Sequence, residues 1–150
     1  MIKRIVVTLD GSPVSEAALP KAKELAEAQH TPIHLIRVVD VSKLEQLGGL
    51  GMGLEYSALD LALQDERAAA RDYLEGKAAE LSKEGFTVTT EQREGIAARA
   101  IVEALQPDDM LVIASHGRSG IQKWFLGSVA EEIVRRSPAP VLLIHPNDED

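Results

Sequence analysis

The sequence predicts an α/β fold: a single doubly wound, three-layer domain with a five-stranded parallel sheet and about four helices. Two observations predict it. Short, almost continuous apolar runs recur along the chain, and the segments between them carry apolar residues at helical spacing. Continuous apolar runs are typical of strands that are covered on both faces. Strict alternation of strand and helix then favours parallel strands with helices on both sides of the sheet.

Five apolar runs are the expected strands. The first, at residues 5–9, is nearly all apolar and ends before Asp10. The later ones are expected at residues 33–39, 86–90, 110–114 and 141–144. The third differs from the others because it alternates between apolar and threonine positions, which predicts a strand with one face in water.

Four segments between these strands are the expected helices. Ser12 and Pro13 predict the start of the first, with Ser12 as its cap and Pro13 in its first turn, and Pro20 is expected to kink it. The second is expected at about residues 58–83, and Gly85 after it is the residue expected to stop it. The last two are expected at residues 97–105 and 128–136.

Two segments show no pattern. Residues 40–57 contain a glycine-rich stretch and are expected to form a flexible loop, and the acidic tail, 146–150, is expected to fray. No internal repeat or interdomain linker is visible, so residues 1–150 are expected to form one domain.

Composition excludes several classes of function. The chain has no cysteine, which rules out disulfides, thiol catalysis and thiolate metal sites. Its net charge of −8 argues against nucleic acid as a partner, because a basic face supplies most of that affinity. No apolar run approaches the length of a membrane span, so we expect a cytoplasmic protein without membrane contact.

The segment ASHGRSGIQKWFLGSVAEE, residues 114–132, follows the fourth strand and is suited to holding phosphate. Ligands of open parallel sheets bind at the carboxyl ends of the strands, where residues 8–12 and 38–40 also lie. Gly117 and Gly120 allow close backbone approach, and Gly127 opens a helix whose free N–H groups favour an anion. Further donors come from Ser115, Arg118 and Ser128. Glycine spacing alone leaves a phosphate site and a plain structural loop about equally favoured.

The same segment resembles the nucleotide-binding motif of the universal stress protein family, Gly-x2-Gly-x9-Gly-Ser/Thr. Here the motif reads Ala114-Ser115-His116-Gly117, then nine residues, then Gly127-Ser128. The run Ile5-Val6-Val7 before Asp10-Gly11-Ser12 is also similar to that family, and the resemblance spans nearly the whole chain. It implies an adenine nucleotide alpha hydrolase-like fold.

The resemblance also implies a ligand, ATP with Mg²⁺, and a set of binding residues. Asp10 and the backbone of Val38 would face adenosine with Thr8 nearby, and Gly117 would approach the phosphates or the ribose. The start of the last helix, at Gly127, would hold the phosphates. The predicted nucleotide-binding residues are Thr8, Asp10, Val38, Ser115, Gly117, Arg118, Gly120, Gly127, Ser128 and Val129.

Two of these positions have alternative interpretations. Asp10 could contact the ligand or cap the first helix. Ala114 stands where the family motif has its first glycine: if that position needs a positive φ, alanine strains it by about 1 kcal/mol, and if it is the last residue of a strand, the methyl group changes little.

Function follows as an expectation. The resemblance implies an ATP-binding regulatory protein of the stress response that dimerises through the last strand, Val141–Ile144. We expect at most slow hydrolysis, since the sequence offers no clear water-activating base and no dedicated arginine finger. The alternative is a nucleotide-free dimeric module of the same fold that binds a protein partner. An efficient ATPase is the weakest of the three hypotheses.

Overall fold

The computed structural model describes residues 1–42, 56–115 and 126–146. Its sheet has five strands, all parallel, in the order β3-β2-β1-β4-β5. The strands are β1 (Arg4–Thr8), β2 (Ile33–Asp40), β3 (Val88–Gly95), β4 (Asp109–Ala114) and β5 (Val141–Ile144). The predicted α/β fold with a parallel five-stranded sheet is confirmed.

Four α-helices connect these strands in the described ranges: α1 (Leu19–Gln29), α2 (Tyr56–Lys83), α3 (Ala97–Ala104) and α4 (Ser128–Arg136). A short 3-10 helix, Ser15–Ala18, precedes α1. Gly85, with φ of 98°, follows α2, and the N–H of Phe86 then bonds back to the carbonyl of Leu81. This left-handed turn ends α2 where the sequence predicts.

The core has two layers because neighbouring residues of each strand point to opposite faces of the sheet. On one face, Ile5 and Val7 of β1 pack with Ala22 of α1 and Leu74 of α2. On the other face, Val6 packs with residues of β4, α3 and α4, namely Leu111, Ala98, Ile101 and Ile133. Helices on both faces explain why the strands read as continuous apolar runs.

The first helix begins later than the sequence predicts. The chain forms the 3-10 turn at Ser15–Ala18, and regular helix starts only at Leu19, with Pro20 in its first turn instead of at a kink. Proline is tolerated there because the first N–H groups of a helix have no intrahelical acceptor. Ser12 is not the N-cap of either helix, since these are Val14 and Ala18, but its Oγ accepts a hydrogen bond from the N–H of Ser15 at 3.2 Å.

The third strand is also different from the expected one. It starts at Val88 instead of residue 86 and continues to Gly95, paired with β2 along its whole length. Its second half, Glu91–Gly95, is polar because β3 is an edge strand with exposed positions, and such residues do not read as a strand.

Both ends of the segment expected to be a flexible loop, 40–57, belong to regular elements, because β2 includes Asp40 and α2 starts at Tyr56. Residues 43–55 of that loop, and 147–150 of the expected frayed tail, lie outside the described residues. Within the described ranges, no helix combines the length and apolar character that crossing a membrane requires.

Candidate functional site

The strand order reverses between β1 and β4. The chain passes from β1 outward through β2 to β3, then returns to place β4 on the other side of β1. In an open parallel sheet the ends of two such strands diverge and leave a crevice at the carboxyl edge, where ligands bind. The loop after β1 and Ser115, which follows β4, therefore lie at the edge of the sheet where a ligand is expected.

The loop after β1 is shaped by its own side chains. The Oδ1 atom of Asp10 accepts hydrogen bonds from the N–H of Ser12 at 2.8 Å and from its Oγ at 2.5 Å. The Oγ of Ser15 in turn accepts from the N–H of Asp10 at 3.2 Å and donates to the carbonyl of Ser12 at 2.9 Å. Asp10 thus forms a turn with Ser12, and the N-cap residues of the 3-10 helix and of α1 are Val14 and Ala18, neither with a side-chain cap. Thr8 ends β1 and is buried.

Val38 places backbone groups at the same edge. In the β1–β2 ladder, Ile5 donates its N–H to the carbonyl of Pro32 at one end, and Leu9 donates its N–H to the carbonyl of Ile36 at the other. Residues two apart on a strand direct their backbone groups to the same side, so the N–H and C=O of Val38 also face the β1 side. Because β1 ends at Thr8, Val38 lies where β2 extends past its neighbour.

The segment after β4 returns to its starting point. Ser115, almost fully buried, donates its N–H to Ile144 O at 2.8 Å, and its carbonyl accepts a bond from the N–H of Gly127 at 2.8 Å. The two ends of the glycine segment are thereby held together. The N–H of Gly127 is therefore already bonded within the protein, to the carbonyl of Ser115, which the sequence does not show.

Helix α4 starts at this closure with an open first turn. Gly127 is its N-cap residue, with extended backbone at φ −61° and ψ 155°, and no side chain caps the turn among the described residues. Ser128 and Val129 are exposed, and the first N–H groups of a helix have no intrahelical acceptor. These amides and the positive end of the helix dipole make the turn suited to an anion.

The structure decides between the two interpretations of Ala114. It is the last residue of β4, it pairs with Ile144, and it is buried. Its φ is not positive, since His30 is the only non-glycine residue with a positive φ in the described part of the chain. Alanine is therefore unstrained there. Gly117, Arg118 and Gly120 lie outside the described residues.

Sequence reasoning missed Arg37, which lies beside this site. Its side chain is 8% exposed, and its Cζ atom is 5.0 Å from the centre of the Tyr73 ring on α2. Gly11 has a φ of 89°, and a Cβ there would overlap Nη1 of Arg37. A charged residue inside the apolar run of β2 was the available signal, because arginine is rarely buried without a specific contact.

Tyr73 belongs to a charged cluster on this side of the sheet. Burial raises the pKa of the Tyr73 hydroxyl, the nearby Glu16 carboxylate and Asp10 raise it further, and Arg37 acts in the opposite direction. Glu16 also forms an ion pair with Lys77, whose Nζ is 5.9 Å from the centre of the Tyr73 ring. The cluster joins the loop after β1, strand β2 and helix α2.

The open first turn of α4 offers backbone donors that suit an anion, and the Asp10 carboxylate follows β1 at the carboxyl edge of the sheet. No group of three histidine or acidic residues suited to a metal ion occurs within residues 1–42, 56–115 and 126–146. Every contact described so far positions a group, and none identifies a nucleophile.

Comparison with known proteins places the chain in a family. The model of the Universal stress protein family matches residues 1–145. Universal stress protein MJ0531 of Methanocaldococcus jannaschii is 32% identical over 146 residues, which cover 96% of this chain and 82% of that protein.

Solved structures have the same fold. Protein MJ0577 superposes with a TM-score of 0.81 at 24% identity and covers 99% of both chains. A universal stress protein in complex with cAMP has a TM-score of 0.57 at 24% identity and covers 97% of this chain and 98% of that one. A family protein from Arabidopsis thaliana with AMP bound has a TM-score of 0.66 at 14% identity, covering 98% and 94%. With a family match over almost its full length, this chain belongs to the universal stress protein family.

Proposed function

We propose that this protein binds an adenine nucleotide, ATP with Mg²⁺, in the crevice between the carboxyl ends of β1 and β4, and that it acts as a regulatory protein of the stress response. The nucleotide would change what the protein binds, with at most slow hydrolysis. Two relatives of the same fold are solved with cAMP and with AMP, which supports an adenine nucleotide as the ligand class.

The observation that carries this proposal is the meeting of three elements at one edge. The loop at Asp10 and the open first turn of α4 follow the two strands between which the order reverses, and the backbone of Val38 overhangs the end of β1 from its other side. Asp10 and Val38 would hold adenosine from one side, and Thr8 would line the wall beneath it. Such a site requires no unusual backbone at Ala114.

The phosphates would lie against the start of α4. Because Gly127 donates its N–H to Ser115, the Ser128 and Val129 amides and the Ser128 hydroxyl would be the donors from this end. Gly127 would contribute by its lack of a side chain, which leaves room for the phosphates. Ser115 would hold the segment closed, and Gly117, Arg118 and Gly120 would complete the cradle. Mg²⁺ would be held mainly by the phosphates.

A homodimer through β5 is part of this proposal. The sheet has two edges, and they differ in character. At the β3 edge, Arg67 of α2 pairs with Glu94, and Gln92 donates to the carbonyl of Arg67 at 3.0 Å. The β5 edge is the apolar run Val141–Ile144, which is half-buried along its length. Charged edges resist pairing with another chain, whereas an apolar edge invites it.

The nucleotide-free interaction module is the second candidate. Alanine in place of the first motif glycine would favour it only if that position needed a positive φ, and Ala114 is an ordinary strand residue. The net charge of −8 would also favour it, but this charge acts weakly on a ligand held locally, because charges more than about 8 Å apart are screened at physiological salt.

The test is direct measurement of the bound nucleotide. Purified protein is denatured by heat and its supernatant analysed by chromatography for adenine nucleotides, and the stripped protein is titrated with ATP and Mg²⁺ by calorimetry. We expect binding in the wild type and weaker binding in Asp10→Ala and Gly127→Val, with the circular dichroism spectrum unchanged. Valine at 127 is compatible with the extended backbone there, so a loss would reflect a blocked site.

Lys23→Met serves as the control, since Lys23 pairs with Glu84 on the surface, away from the crevice. Absence of both bound nucleotide and ATP binding at millimolar concentration would refute the proposed function. Normal ATP binding by both Asp10→Ala and Gly127→Val would show that the nucleotide binds elsewhere on the protein.

A further inference from the structure

The loop that carries Asp10 lies outside the sheet. The last backbone bond that ties β1 to β2 is that of Leu9 N–H to Ile36 O at 2.9 Å. Beyond it, residues 10–12 are held by the turn that Asp10 makes with Ser12 and by the hydrogen bonds of both residues with Ser15, the first residue of the 3-10 helix. These bonds fix the shape of the loop and its link to the 3-10 helix, and side chains that reach it from the sheet and from α2 further restrict its direction.

Arg37 is such a side chain, and it is anchored firmly. On β2, Ile36 directly before it is 0% exposed, and Val39, two residues after it, is 5% exposed. The guanidinium is also close to the ring of Tyr73, whose helical neighbour Leu74 is 3% exposed and part of the core. Cation–π contacts of this kind are stronger where water is excluded. Arg37 therefore connects the loop to two rigid elements, β2 and α2.

The contact between Arg37 and the loop is close enough to restrict the sequence at position 11. A Cβ on Gly11 would stand 3.0 Å from Cζ and 3.1 Å from Nη2 of Arg37, and it would overlap Nη1. Gly11 also has a φ of 89°, a left-handed conformation that favours glycine. The backbone of the loop thus packs directly against a buried guanidinium.

We propose that Arg37 is a positioning residue of the nucleotide site: its guanidinium, held by Tyr73 and in contact with Gly11, fixes the loop and thereby places Asp10 for its ligand. The inference rests on the proposed function, because it assigns Arg37 an effect on nucleotide affinity through Asp10. Arg37 itself needs no contact with the nucleotide. The Glu16–Lys77 ion pair beside Tyr73 braces the same junction between α2 and the 3-10 turn.

A double-mutant cycle on ATP affinity tests this. Arg37→Met and Asp10→Asn are each expected to weaken ATP binding by about tenfold, as is common for residues that orient a ligand-binding group. In the double variant the two losses should not multiply, because Arg37 acts through Asp10. Arg37→Lys, which keeps the charge and loses the planar contact with Tyr73, is expected to fall between wild type and Arg37→Met. Arg67→Met is the matched control, because Arg67 pairs with Glu94 at the far edge of the sheet. This variant should bind ATP normally.

A second measurement keeps the inference testable without a ligand. Amide hydrogen exchange at residues 10–12 should become faster in Arg37→Met and stay unchanged in Arg67→Met, while exchange in the β1 core stays slow in both. Should Arg37→Met fail to fold, Tyr73→Leu removes the ring contact and leaves the charge, and it should give the same faster exchange.

The outcomes separate the two proposals. Failure of the wild type to bind ATP would refute the nucleotide function, whereas the exchange data would still report whether Arg37 holds the loop. Wild-type ATP binding together with fully multiplying losses would show that Arg37 acts independently of Asp10 and would overturn this inference. Unchanged exchange at residues 10–12 in Arg37→Met would overturn it as well.

Discussion

At the residue scale, Ala114 shows how backbone context decides the effect of a substitution. The family motif has glycine at this position, and glycine matters where φ is positive or where a side chain would collide. Ala114 does not meet the first condition, since it continues β4 and its φ is not positive. Its methyl group is buried with the strand, so alanine stabilises β4 slightly relative to glycine.

Ala114→Gly should therefore leave ATP affinity unchanged within about twofold and lower the free energy of unfolding by about 0.5–1 kcal/mol, because glycine loses more backbone entropy on folding. Calorimetric titration and urea unfolding measure the two effects. A marked gain in ATP affinity would contradict the assignment of Ala114 to the strand.

Two neighbouring ion pairs near the start of β1 should differ in their contribution to stability. Arg4 donates to both carboxylate oxygens of Asp109, at 2.6 and 3.0 Å, and the Asp109 side chain is 1% exposed. Lys3 pairs with Asp108 at 3.1 Å, but these two side chains are 76% and 51% exposed. Removing one partner of a buried pair leaves a charge without compensation, while exposed pairs are screened.

Arg4→Met is expected to lower the free energy of unfolding by about 3 kcal/mol, while Lys3→Met should change it by less than about 0.5 kcal/mol. Chemical denaturation of both variants measures the difference. Equal effects would show that water reaches Asp109 more freely than its burial indicates.

At the scale of elements, the two edge strands have opposite properties although both are paired on one side only. In the β4–β5 ladder, Pro140 O and Ile144 O accept bonds from Leu111 and Ser115. Because backbone groups alternate in direction along a strand, those of Leu143 point away from β4. In the β2–β3 ladder, Thr87 O accepts from Ile33, so the groups of Thr90 point outward by the same reasoning.

Leu143→Pro should therefore abolish the proposed dimer while leaving the inner ladder of β5 intact, because proline removes an outward N–H only. Sedimentation equilibrium should report a folded monomer. Thr90→Pro is the matched control at the charged edge and should remain dimeric. A wild type that sediments as a monomer would refute dimerisation, and a dimeric Leu143→Pro would place the interface elsewhere.

At the scale of the whole molecule, ligand binding should appear as added stability. A nucleotide that binds only the folded protein stabilises it by about 2.7 kcal/mol at a hundredfold excess over its Kd. For a chain of 150 residues this corresponds to a rise in Tm of about 5–10 °C. Thermal unfolding of the stripped protein with and without ATP and Mg²⁺ measures it. We expect a smaller rise for Asp10→Ala at the same ATP concentration, and an unchanged Tm in the wild type would argue against binding.

Local sequence patterns alone predicted the fold class, four of the five strands to within a residue at each end, and the start of α4. These depend on local patterns, since buried strands and helix starts are written in consecutive residues. The predicted third strand is wrong in its bounds because an exposed edge lacks the apolar signal. The predicted start of the first helix is too early, because Ser12 and Pro13 precede a 3-10 helix, Ser15–Ala18, and regular helix begins only at Leu19.

Only the tertiary structure decided what surrounds the site. It showed that the Gly127 amide bonds to Ser115 and that Ala114 is unstrained. It also brought Arg37 from β2, Tyr73 from α2 and Gly11 from the first loop into contact. The physical reason is that these contacts join residues far apart in the chain, so they depend on how the elements pack and leave no periodic pattern in the sequence.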